Sequence, residues 1–125
     1  MTIEKDYKYW GYHLLLDAAY CDESINDPKK VEQFLRELVP AIKMTPMGEP
    51  IVVYVDDCNG KGVSGMQLIT TSTITFHGDD WNKCVYLDVF SCKPYKKQVV
   101  FDLFNKYFKP QKMKYRFVHR NADED

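Results

Sequence analysis

Two hydrophobic periodicities alternate along the chain. From Tyr7 to Ala19, aromatics lead into His13-Leu14-Leu15-Leu16, a run apolar enough for a buried strand. Asn26-Asp27-Pro28 then marks a helix start, with Asp27 as cap and Pro28 in the first turn, where its missing N–H leaves nothing unpaired. Val31, Phe34, Leu35, Leu38 and Val39 follow at helical spacing and form one apolar stripe, which Pro40 closes. Met44 to Pro50, with Pro46, Gly48 and Pro50, reads as a loop. Ile51 to Val55 reads as a strand, and the turn formers Asp56 to Gly62 follow it. Met66 to Thr71, Ser72 to Phe76 and Val85 to Ser91 are three more strand patterns. A second helix is expected over Lys96–Tyr107, with Val99, Val100, Leu103, Phe104 and Tyr107 on one face. Lys112 to Val118 gives a last strand, and Asn121 to Asp125 an acidic, frayed tail.

This order implies an α+β two-layer sandwich, an antiparallel sheet with helices on one face, within a single domain over 1–125. The strands carry more apolar side chains than one covered face needs. Tyr54, Met66, Leu68, Tyr86 and Phe90 point to a second face that is also covered, and a homodimer packed sheet against sheet is the simplest cover.

Composition narrows the function. The 125 residues are 45% hydrophobic, a globular proportion, and the formal net charge of −1 provides no field for nucleic acid or an anionic membrane. No apolar run reaches the roughly 18 residues of a membrane span, and Met1 to Asp6 lacks the apolar stretch of a signal peptide, so a cytoplasmic protein is expected. Cys21, Cys58, Cys84 and Cys92 contain no C-x-x-C pair; a structural metal site is not expected, and reduced thiols, most of them buried as small hydrophobes, are.

The chemistry-bearing residues lie between Gly62 and Cys92. Ser72 stands at the join of two β-patterned runs, His77 follows five positions later, and Cys92 closes the run that begins at Val85. A hydroxyl, an imidazole and a thiol at the ends of neighbouring strands have the makings of a reactive site. Singly, each is more often a turn serine, a satisfied histidine or a buried thiol.

Together, Gly62-Val63-Ser64-Gly65, Ser72, His77 and Cys92 resemble the prokaryotic S-adenosylmethionine decarboxylases, proenzymes that make their own pyruvoyl cofactor. His13-Leu14, the helix start at Asp27-Pro28 and the final helix–strand pair extend the resemblance more loosely along the chain. It implies self-cleavage between Thr71 and Ser72, in which the Ser72 hydroxyl attacks the Thr71 carbonyl, Ser64 assists and His77 acts as base. Ser72 then becomes a pyruvoyl group, a ketone that condenses with the substrate's α-amine and draws off the electrons of the departing carboxylate. By the same match, Cys92 returns a proton to the α-carbon. The substrate implied is S-adenosylmethionine, used for spermidine biosynthesis, and the enzyme a homodimer of cleaved protomers.

Four positions depart from the family. Cys58 stands where an aromatic stacks on adenine, a contact worth ~1–3 kcal/mol, and Trp81 stands where a carboxylate holds the ribose. Thr71 replaces a glutamate and Thr73 a histidine. Asp56, Asp57, Asp79 and Asp80 crowd the same loops and suit a guanidinium or ammonium group, which raises the alternative of an arginine or ornithine decarboxylase on this scaffold. They are equally ordinary turn formers, with Tyr54 or Trp81 stacking on adenine instead. A non-catalytic regulatory paralogue is the third reading.

Overall fold

The computed structural model describes residues 11–123. Nine elements follow in order: β1 (Gly11–Ala19), a 3-10 turn (Glu23–Asn26), α1 (Pro28–Ala41), β2 (Ile51–Asp57), β3 (Gly60–Ile69), β4 (Ser72–Asp79), β5 (Cys84–Ser91), α2 (Lys97–Phe108) and β6 (Lys112–Arg120). The strands form one antiparallel sheet in the order β2-β3-β4-β5-β1-β6, and both helices pack on one face of it. This is the α+β two-layer arrangement expected from the pattern. Among the described residues no helix is long and apolar enough to cross a membrane. The part of the first strand expected at Tyr7 to Trp10, the Met1–Asp6 segment and the last two tail residues lie outside the described residues.

Alternation decides which side chains meet the helices. Leu14, Leu16 and Ala18 of β1, Ile74 and Phe76 of β4, and Val85, Leu87 and Val89 of β5 are buried under them. In α1, Asp27 accepts the Lys29 N–H at 3.0 Å, and Val31, Phe34, Leu35, Leu38 and Val39 are buried. Phe34 lies at the centre of an aromatic cluster, with ring centroids 5.1 Å from Phe108, 5.8 Å from Phe104 and 6.3 Å from Phe76. Pro40 falls inside the last turn of α1 rather than beyond it, and the Ile42 and Met44 N–H groups close the end on Leu38 and Val39.

The segment Asp56 to Gly62 is not the loop that its composition suggests. β2 runs to Asp57 and β3 starts at Gly60, leaving a two-residue turn at Cys58-Asn59, because cross-strand pairing of Asp56 with Lys61 and Asp57 with Gly60 continues the ladder. At its other end β3 stops at Ile69 rather than Thr71, and Thr70-Thr71 form the turn into β4. Of the cysteines, all free, only Cys21 is buried; Cys58 is exposed and Cys84 and Cys92 are half-buried, so the expectation of mostly buried thiols fails where strands end in turns.

Candidate active site

The Ser72 end of the site is built on the β3–β4 turn. Thr71 takes a left-handed backbone, φ 57°, and Ser72 opens β4 with 8% of its surface exposed. The Ser72 Oγ accepts the Cys92 backbone N–H at 3.1 Å, and the Thr71 Oγ1 lies 2.6 Å from the Cys92 Sγ. Cys92 follows the last residue of β5, which pairs with β4, so the sheet itself brings the thiol to the Thr71–Ser72 bond. The Thr71 hydroxyl also donates to the Thr70 carbonyl at 2.6 Å. The loop after α1 braces the same turn: the Thr70 N–H donates to the Thr45 carbonyl at 3.2 Å and the Met47 N–H to the Leu68 carbonyl at 2.9 Å. Nothing in the sequence marks Thr45 for that part.

His77 and Ser64 form a second cluster. They are direct cross-strand partners in β4 and β3, with the Ser64 Oγ 3.4 Å from the His77 Nδ1, on the sheet face opposite α1 and α2. His77 does not join Ser72 and Cys92. Five residues of strand separate it from Ser72, roughly 16 Å at about 3.3 Å each, and the odd spacing turns the two side chains to opposite faces. The expected three-residue constellation is therefore two half-sites within one chain.

Trp81, 59% exposed, lines a shallow groove of about 350 Å³ beside Ser64, together with Val55, Gly62, Gly78 and Asp79. Cys58 stands at the exposed tip of the β2–β3 turn and does not line that groove. Three of the four aspartates are engaged, two of them by their own turns. Asp57 accepts the Asn59 and Gly60 N–H groups, and Asp79 those of Trp81 and Asn82. Asp80 binds Lys83 and Lys61 and accepts from the Asn26 side chain. Asp56 extends from β2 at the sheet edge. Three of the four carboxylates that motivated a basic substrate thus have partners already. Tyr54 also departs from its expected place: opposite Val63, it lies on the helix side of the sheet, not the open face.

The open face carries Met66, Leu68, Tyr86 and Phe90, as the pattern implied, with Leu68 51% and Tyr86 50% exposed. Amid them is a polar group the sequence did not single out, because its members are distant in the chain: the His13 Nε2 contacts the Asp88 Oδ1 at 3.1 Å, and the Thr75 hydroxyl donates to the Asp88 Oδ2 at 3.5 Å. Away from both half-sites, burial first, then the nearby Cys84 and Asp22, pushes the Cys21 thiol up to about 12, which keeps it protonated and inert.

Comparisons with known proteins agree with the fold. The family model for S-adenosylmethionine decarboxylase matches residues 12–121. A protein of Pyrococcus furiosus, the S-adenosylmethionine decarboxylase proenzyme, is 36% identical over 85 residues, which cover 66% of this chain and 57% of that one. The proenzyme of Methanococcus maripaludis is 26% identical over 94% of this chain and 95% of its own. The crystal structure of the adenosylmethionine decarboxylase from Aquifex aeolicus superposes with a TM-score of 0.79 at 20% identity, covering 94% of this chain and 96% of that one, a likeness of fold.

Proposed function

The chain belongs to the S-adenosylmethionine decarboxylase family, and from that premise we propose that it cuts itself between Thr71 and Ser72 and decarboxylates S-adenosylmethionine with the pyruvoyl group so formed, in the service of spermidine biosynthesis. The observation that carries the proposal is the left-handed turn at the scissile bond, with the Ser72 hydroxyl on the Cys92 amide and the Cys92 thiol against Thr71.

Processing needs only groups of this chain. The Ser72 Oγ attacks the Thr71 carbonyl carbon; as the new C–O bond forms, the C–N bond breaks and the hydroxyl proton passes to the Ser72 nitrogen, leaving an ester. A base removes the Ser72 α-proton and the Thr71 carboxylate departs, splitting the chain. Hydrolysis of the remaining dehydroalanine releases ammonia and leaves the ketone. The residues around Ser72 fit such a group, because a backbone N–H and a thiol already converge there. When present, the pyruvoyl group supplies a conjugated carbonyl that accepts the electron pair released with carbon dioxide. Cys92 carries the proton that replaces the carboxylate, and Trp81, flanking the groove beside Ser64, offers a flat face to the adenine.

The base presents a geometric problem with one economical solution. His77 of the same chain is out of reach of the ester, and it lies on an open face rich in exposed apolar side chains. A second copy stacked on that face about a two-fold axis perpendicular to the strands would bring its Ser64–His77 pair over the Ser72–Cys92 end of the first. The homodimer then holds two composite sites.

Intact-mass measurement of the purified protein tests this reading. Two fragments divided before residue 72, the second carrying a carbonyl that hydrazine reagents trap, are expected, with carbon dioxide released from S-adenosylmethionine. Ser72→Ala should remain one chain without activity. A wild-type protein that stays whole refutes the proposal, and release of carbon dioxide from arginine or ornithine but not S-adenosylmethionine refutes the substrate.

A further inference from the structure

Among the described residues, five other than glycine have positive φ: Tyr20, Lys43, Thr71, Lys83 and Lys109. Thr71 is the β-branched one, and for that class a left-handed backbone is a true outlier. We propose that Thr71 is the strain element of the processing site, bent so that attack on its carbonyl relieves the distortion; this rests on the self-processing reading above.

The position of the strain is what matters. In the left-handed conformation an L-residue's Cβ crowds the carbonyl oxygen that follows it. At Thr71 that oxygen belongs to the carbonyl that Ser72 must attack. While the carbonyl is flat, the crowding persists. As the C–O bond to Ser72 forms, the carbon becomes tetrahedral, its oxygen leaves the peptide plane, and the contact opens. Strain present in the starting peptide and absent from the transition state lowers the barrier by the amount relieved.

The surroundings keep Thr71 from relaxing beforehand. Thr70 is tied to Thr45 in the preceding loop, the Thr71 hydroxyl to the Thr70 carbonyl and the Cys92 thiol, and Ser72 to the Cys92 amide. Two-residue turns that suit the sheet twist take positive φ at their first central residue or at both. Here only the second does, and glycine or asparagine is the ordinary occupant of such a position. A threonine there is held by its neighbours, not by preference.

Time courses of cleavage in freshly synthesised full-length chains test the proposal. Thr71→Gly removes the crowding, and its cleavage should slow by about 5- to 30-fold. Thr71→Val keeps the branch and loses only the hydroxyl's hold on the turn, so it should cleave faster than the glycine variant. A glycine variant as fast as wild type overturns the proposal, as does a valine variant as slow as the glycine one. A second measurement needs no cleavage: in the Ser72→Ala background, adding Thr71→Gly should raise the melting temperature, and a lower one overturns the strain. Wild type that never cleaves sinks the processing reading and this one with it, whereas cleaving chains indifferent to residue 71 sink this one alone.

Discussion

Asp80 shows how a carboxylate that looks available in the sequence is used. Lys83, Asn26 and Lys61 surround it, and the Lys83 hydrogen bond, working against burial, holds its carboxyl below the usual range. Because the folded value lies under the unfolded one of about 3.9, the stabilisation is complete above that pH and is lost as pH falls through the folded value. Asp80→Asn should therefore lower stability at pH 7 by about 1–2 kcal/mol, with the gap to wild type closing on acidification; urea melts at both pH values check it, and a gap independent of pH would rule it out. Ser64, Ser72, His77 and Cys92 are legible as candidates because their chemistry stands out at fixed spacings. The separation of His77 from Ser72 was legible too, since an odd spacing on one strand means opposite faces. The bond between Asp80 and Asn26 was not legible, because it joins residues that only the fold brings together.

The Gly62-Val63-Ser64-Gly65 segment divides its duties by alternation. Val63 is fully buried under the helices and Ser64 faces His77 on the other side. Gly62 allows β3 and β4 to approach: a Cβ there would lie 2.1 Å from the Gly78 carbonyl oxygen, on a backbone at φ 153°. Gly65 leaves room for α1, since a Cβ would sit 3.1 Å from Leu35 and 3.3 Å from Val31. Gly62→Ala should thus destabilise the protein by about 2–3 kcal/mol, measured by thermal melting in the uncleaved Ser72→Ala background, whereas a loss near zero would mean that the strands part without cost. The helices were read well because caps and a 3.6-residue stripe are local signals. Strand limits were read less well at Asp56 to Gly62, where pairing across the hairpin outweighs a local preference for turn residues.

Across the whole molecule, the helix-covered face explains the core and the bare face explains the rest of the apolar pattern. Its partner is a second copy in the reading proposed above, and a mixing experiment checks it. Ser72→Ala and His77→Ala chains, each uncleaved alone, should on co-expression yield cleavage of the His77→Ala chain, whose Ser72 meets an intact histidine from the other copy. Mixed chains that stay whole would argue for a site within one chain. A partner copy is invisible to periodicity, which reports only that a face is apolar. The Thr70-Thr71 turn joins β3 and β4, two interior strands flanked by β2 and β5. In the reading proposed above, severing it would leave each fragment locked by hydrogen-bonded neighbours, so the nicked protein would keep its shape. Once denatured, the halves of a chain so cut would have to find each other by diffusion, and a molecule that matures by breaking its own backbone would give up unimolecular refolding.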